Sequence, residues 1–290
     1  MRMTDQDRPL VLGAVAYDPK VVTIWEGYKD HLGRQGLAID YVLLSNYESQ
    51  VEAHLGGSLD LAWNSPLAWV RARRLAEADG RKVWPLVMRD TDRGCTARIV
   101  VRADDDAFGL DDLRGRRVGV GAIDSPQATL IPLLYIRDGG IDPDTDLEVV
   151  LHDVFAGEHG DHGTAERLAL RALVAGAVDA ACVLGGTEVA AATDGDVPEG
   201  SVRVLAETPE FDHCNFTVTP EAPGPEVTRF GELLRAMSYD DPEVRPLCEL
   251  EGLRSWEAGR TEGYDLLERA VDAMGFYDEA GRITAPGYQY

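Results

Sequence analysis

The 290-residue chain has no run of about 18 consecutive apolar residues, so nothing in it reads as a membrane-spanning helix. Its start, Met1-Arg-Met-Thr-Asp-Gln-Asp-Arg-Pro9, is polar. No apolar stretch of signal-peptide length follows, and the sequence as written reads as cytoplasmic. Positive charge is scarce: 28 Lys and Arg face 51 Asp and Glu, for a formal net charge of −23. That deficit argues against nucleic acid and against anionic membrane surfaces as partners. An anionic ligand has to be captured locally, against the global field. The four cysteines, Cys95, Cys182, Cys214 and Cys248, fit neither a disulfide framework nor a C-x-x-C metal site. There is no P-loop, no G-x-S-x-G and no H-E-x-x-H. Gly119-Val-Gly121 begins like a dinucleotide fingerprint but puts Asp124 where the third glycine belongs.

What the chain does have is 44% hydrophobic residues, ample for two lobes, and a recurring local grammar. Three times a short apolar strand ends in a polar turn that opens a helix: 10–16 before Tyr17-Asp18-Pro19, 59–63 before Asn64-Ser65-Pro66, and 117–121 before Asp124-Ser125-Pro126-Gln127. Helix starts carry unsatisfied N–H groups and the positive end of the helix dipole, which suits a polar or anionic ligand. Strands and helices alternate through most of the chain, which predicts a mostly parallel α/β architecture. The two halves also echo each other. In each, a helix stops at glycine and an aspartate, Asp60 or Asp179, begins an apolar strand. From Val227 onward the pattern is helical, over 227–237, 241–249 and 262–274.

Taken in order, these segments resemble the type II periplasmic binding-protein fold. More narrowly, the chain is similar to the PhnD-like substrate-binding proteins of phosphate, phosphite and phosphonate ABC transporters. The resemblance runs through Leu12-Gly-Ala-Val-Ala-Tyr17-Asp-Pro, Leu59-Asp-Leu-Ala-Trp-Asn-Ser-Pro66, Leu110-Asp-Asp-Leu-Arg-Gly-Arg-Arg-Val118, Asp124-Ser-Pro-Gln-Ala-Thr-Leu-Ile-Pro132 and Glu158-His-Gly-Asp-His162. It covers roughly residues 10–185 well. It implies two lobes, each a mostly parallel sheet flanked by helices: 8–95 plus 215–290, and 100–205. The hinge crossings are expected near 96–102 and 205–218. It also implies ligand capture in an interlobe cleft by hinge closure, with an ABC permease as partner only if the protein is exported. In that family the third helix start reads Ser-Thr-Ser-Gly, whose hydroxyl and N–H groups hold phosphonate oxygens. This chain keeps Ser125 but follows it with Pro126, which has no N–H, and Gln127. The expected ligand is therefore a small polar or anionic molecule other than a simple phosphonate.

The ligand-binding candidates are Tyr17, Asp18, Asn64, Ser65, Ser125, Gln127 and His159, the last by the family's loop histidine, which matches His159 or His162. Asp18 and Asn64 are equally good helix caps. No cofactor is expected. A metal would use His159 and His162, although two local ligands are half of a structural zinc set. The alternative is an enzyme on the same fold. His213 and Cys214 are its candidate catalytic groups, although neighbours on an extended strand point to opposite faces. The order His213-Cys214-Asn215-Phe216 is similar to the His/Cys segment of the yeast-type pyrimidine synthase of thiamine biosynthesis, which shares the fold.

Overall fold

Short apolar strands bounded by glycine and proline turns alternate with helices that carry one apolar face, and the computed structural model, which describes residues 8–290, builds this pattern into two α/β units. The elements are β1 (Leu10–Val15), α1 (Lys20–Arg34), β2 (Ile39–Leu44), α2 (Tyr47–Leu55), β3 (Leu61–Asn64), α3 (Pro66–Ala78), β4 (Trp84–Arg89), β5 (Ala97–Arg102), β6 (Arg117–Val120), α4 (Ile131–Asp138), β7 (Glu148–Leu151), α5 (Thr164–Val174), β8 (Ala180–Leu184), α6 (Thr187–Thr193), β9 (Val202–Glu207), β10 (Asn215–Val218), α7 (Gly224–Arg235), α8 (Arg245–Glu251), β11 (Trp256–Ala258) and α9 (Asp265–Met274).

Unit 1 comprises 8–93, 212–263 and 279–282. Its six strands lie in the order β11-β4-β10-β3-β1-β2. β1 pairs in parallel with β2 and β3, while β10 and β11 pair antiparallel with their neighbours, so the sheet is mixed. The core centres on Phe216. Its ring lies 4.8 Å from Trp63, 5.0 Å from Phe230, 5.7 Å from Trp256 and 5.8 Å from Trp25, centroid to centroid. Deeper along α2, His54 is 1% exposed, and burial pushes its imidazole down to about 4. A histidine held below its unfolded value of 6.5 binds fewer protons folded than unfolded. Its contribution is complete above about 6.5 and is lost as pH falls toward 4. We therefore expect unit 1 to lose about 3 kcal/mol between pH 7 and 4 through this group. Urea midpoints for wild type and His54→Gln across that range check it, and identical slopes would refute it.

Unit 2 comprises 94–211, 264–278 and 283–290, with strand order β7-β6-β8-β5-β9. β6 pairs in parallel with β7 and β8, and β5 runs against both its partners. Strand alternation sorts its two cores. Ile99, Val101, Ala180 and Cys182 face Leu133 and Ile136 of α4, and Val100, Ala181 and Val183 face Ala169, Leu170 and Leu173 of α5. Burial pushes the Cys182 thiol up to about 12, leaving a packing residue rather than a nucleophile.

The echo between halves has a common physical cause. The Asp60 carboxylate accepts the Val11 N–H at 2.8 Å and a bidentate contact from Arg8. Asp179 accepts the Arg117 N–H at 3.0 Å and the Arg117 guanidinium. Each aspartate also donates its own N–H, to Val11 O and Arg117 O respectively, both at 2.8 Å. One residue thus locks two parallel strands in register at their amino ends.

Three expectations need refinement. The chain passes between units at 93–94, just before the expected 96–102, and at 211–212, within the expected 205–218, while β5 pairs wholly within the sheet of unit 2 and β10 wholly within that of unit 1. The tail from 215 to 290 does not group as one piece, because 264–278 and 283–290 belong to unit 2. There α9 packs on α4, with Arg269 bridging to Asp138 at 2.7 Å and Arg137 donating to Ala273 O at 2.7 Å. Finally, β11 and α6 were not anticipated; three and seven residues are too short for a periodicity to register.

Candidate functional site

In unit 2 the strand–turn–helix grammar is most fully realised after β6. Residues 126–130 form a single π-type turn leading into α4, and Ser125 caps it, its hydroxyl accepting the Ala128 N–H at 3.2 Å. Proline at the first position supplies the helical φ and removes one N–H. Gln127, 2% exposed, donates its amide to Gly160 O and to Glu166 Oε1, each at 3.3 Å, while its own carbonyl oxygen Oε1 is buried with no hydrogen-bond partner among the described residues.

The loop 153–163 closes over this turn. Asp124 Oδ2 accepts the Gly157 N–H at 2.5 Å, the His159 N–H at 3.4 Å and the Tyr288 hydroxyl at 3.2 Å. His159 is fully buried and sits at φ 52°, in the left-handed region that costs a non-glycine residue about 1–3 kcal/mol and tends to mark functional loops. Gly160 is at φ +81°, and a Cβ there would lie 2.5 Å from Ser125 Oγ and 2.7 Å from Gln127 Nε2, so only glycine fits. The sequence placed Ser125, Gln127 and His159 in one site; the structure brings the first two into one turn and the His159 backbone beside them. His162 faces elsewhere. Its ring stacks on Phe155 at 4.4 Å and its Nδ1 meets the Thr164 hydroxyl.

Sequence reasoning missed the sign of the charge around this turn. Asp124 and Glu166 are buried in it, and Glu158 stands on the loop above. Burial, with the Asp161 and Asp124 carboxylates, pushes Glu158 up to about 7. Burial likewise raises Glu166, against the Leu184 N–H and the Thr187 hydroxyl that bind its ionised form. The visible signal was the acid-rich stretch Glu158-His-Gly-Asp161.

In unit 1 the carboxyl ends of β1, β3 and β4 and the start of β10 share one sheet edge. Asp18 accepts the Lys20 N–H at the start of α1 at 2.8 Å, and Tyr17 packs on the core with Lys20 Nζ 5.8 Å above its ring. Asn64 is wholly buried. Its amide donates to Thr217 Oγ1 at 2.9 Å and accepts from Gln50 at 2.8 Å, which ties β3 to β10 and α2. Ser65 caps α3, accepting the Ala68 N–H at 3.1 Å. Alternation does not separate His213 from Cys214, because β10 begins only at Asn215; His213 Nδ1 lies 3.0 Å from Cys214 Sγ. Arg89 and Asp92, not anticipated, lie at the same edge. Arg89 Nε and Nη2 reach Asp92 Oδ2 and Oδ1 at 2.6 and 2.8 Å, Nη1 reaches Glu251 O at 3.0 Å, and the guanidinium stacks 5.2 Å over Trp63. Among the described residues, the His, Cys and carboxylate groups close enough to share a cation are Asp92, His213 and Cys214; His159 and His162 are not among them.

Two mixed α/β units with polar helix starts at their strand ends define a type II solute-binding fold. The chain belongs to the family described as ABC transporter, phosphonate, periplasmic substrate-binding protein, whose pattern matches residues 14–264. It is 26% identical to the phosphate-import protein PhnD of Mycolicibacterium smegmatis, over 84% of this chain and 72% of that protein. In fold it is similar to PhnD1 of Prochlorococcus marinus, solved with methylphosphonate (TM-score 0.70, 15% identity, 92% of this chain and 98% of that one). It is also similar to the aliphatic sulphonate binding protein SsuA of Escherichia coli (TM-score 0.58, 16% identity, 97% and 94%). Family membership corrects the cytoplasmic expectation, which rested on residues 1–9 alone: these are periplasmic proteins serving ABC importers. No described helix is long and apolar enough to cross a membrane.

Proposed function

We propose that this protein is a solute-binding protein whose ligand is a small polar or singly charged molecule presenting hydrogen-bond donors, rather than a simple phosphonate, and that Ser125, Gln127 and the 157–160 loop hold it. The observation that carries the reading is the buried Gln127 carbonyl oxygen, without a partner among the described residues and set among the carboxylates Asp124, Glu158 and Glu166. A buried acceptor costs about 1–3 kcal/mol until a donor reaches it. Carboxylates beside the same turn repel a dianion, and Pro126 supplies no N–H to offset that repulsion. Hinge closure on the ligand remains part of this proposal, by which the bound form is favoured only as far as the ligand prefers it.

Thermal-shift and calorimetric titration with methylphosphonate, inorganic phosphate, alkylsulfonates, carboxylates, amides and neutral heterocycles tests it. A donor-bearing or singly charged compound should bind at least tenfold tighter than methylphosphonate or phosphate. Tightest binding by phosphate or methylphosphonate, measured well above neutral pH where both are dianions, would sink the reading. Gly160→Ala should weaken the best ligand at least tenfold, since the new Cβ displaces Ser125 Oγ and Gln127 Nε2. Any singly negative ligand should bind more weakly as pH rises through about 7, where Glu158 ionises, and Glu158→Gln should flatten that dependence.

A further inference from the structure

We propose that unit 1 holds a site for a thiophilic divalent cation of the zinc type, ligated by Asp92, His213 and Cys214. One carboxylate oxygen, one imidazole nitrogen and one sulfur all lie within 4.8 Å of one another, and all three residues are buried. His213 Nδ1 is 3.0 Å from Cys214 Sγ and 3.6 Å from Asp92 Oδ1. Ligands on a tetrahedral zinc, with bonds of about 2.0–2.3 Å, stand about 3.3–3.8 Å apart, so the two edges that meet at His213 are already near the lengths of such a site. Mixed sulfur, nitrogen and oxygen donors suit a borderline-soft ion and disfavour magnesium or calcium.

The backbone holds the donors together independently of any ion. The His213 N–H donates to Asp92 O at 2.7 Å, which fastens the segment before β10 to the turn after β4. Arg89 holds Asp92 Oδ2 by its own N–H at 3.2 Å and by Nε at 2.6 Å, the outer-shell support expected behind a ligating carboxylate. Coordination through Oδ1 asks only that the Arg89 Nη2 contact at 2.8 Å be shared. The site uses neither His159 nor His162 and lies outside the proposed ligand turn.

The test is titration of the whole, chelator-treated protein with Co2+ and with Zn2+. We expect one Co2+ per chain, a near-ultraviolet thiolate-to-cobalt charge-transfer band, and the intense visible bands of tetrahedral cobalt. Cys214→Ser should abolish the charge-transfer band, and Asp92→Asn and His213→Gln should each weaken Zn2+ at least tenfold. Because replacing a buried cysteine threatens folding, each variant is first checked by circular dichroism, and His213→Gln carries the test should Cys214→Ser not fold. A wild-type protein with no charge-transfer band, a band that survives in folded Cys214→Ser, or wild-type Zn2+ affinity in folded His213→Gln would each overturn the proposal.

Discussion

An Arg89→Met protein should unfold about 3–5 kcal/mol more readily than wild type in urea, monitored by circular dichroism in the presence of a chelator. Arg89 is 18% exposed at its side chain, against 2% for Asp92 and 3% for Glu251, so the change takes a guanidinium away from two buried carboxylates. The penalty is the uncompensated charge rather than the worth of the pair, and a double variant separates the two. Arg89→Met with Asp92→Asn should recover at least about 1 kcal/mol of the loss, because the neutral amide no longer needs the cation. A single variant within about 1 kcal/mol of wild type would show that the carboxylates find water instead.

Phe216→Ala should cost a further class of stability, about 3–5 kcal/mol, because no neighbour can fill the space. Phe216 is wholly buried on β10 with four aromatic rings around it. Those partners come from α1, β3, α7 and β11, elements remote in sequence, so the cavity is walled by independent pieces that collapse poorly. Phe216→Leu keeps most of the volume and should lose about half as much. Equal losses for Ala and Leu would place the energy in ring-to-ring geometry rather than in volume.

The two variants mark where the sequence was legible and where it was not. The start of the helix after Ser125 could be read because its signals are local, a serine, then proline, then an apolar run, whereas at the start of α3 the cap falls on Ser65, one residue after the Asn64 candidate. The aspartates before β3 and β8 could be read for the same reason. The cluster around Arg89 could not, because its members at 89, 92, 213–214 and 251 are joined only by the sheet order β11-β4-β10-β3, in which β10 returns after more than a hundred residues. The relation of His213 to Cys214 was misread because strand alternation was applied one residue before the strand begins. The apolar face of α9 was visible as periodicity, but periodicity reports that a face is covered, not what covers it; α4 of unit 2 does so. Around the unit 2 turn the field was not legible, since the carboxylates of Asp124, Glu158 and Glu166 come from three separate segments.

The paired aspartates at the feet of β3 and β8 bear on how such a protein can change. A slip of one residue in a parallel pair turns every side chain to the opposite face. Asp60 and Asp179 prevent that slip at the amino ends of their strands, while Asn64-Ser65 and Gly121–Gln127 occupy the opposite ends. Substitutions at those turns therefore leave the strand register anchored elsewhere. A fold so arranged has evolvability built into its geometry: the turn after β6, Ser125-Pro126-Gln127-Ala128, can change its residues while the register of the buried strands is held at their other ends.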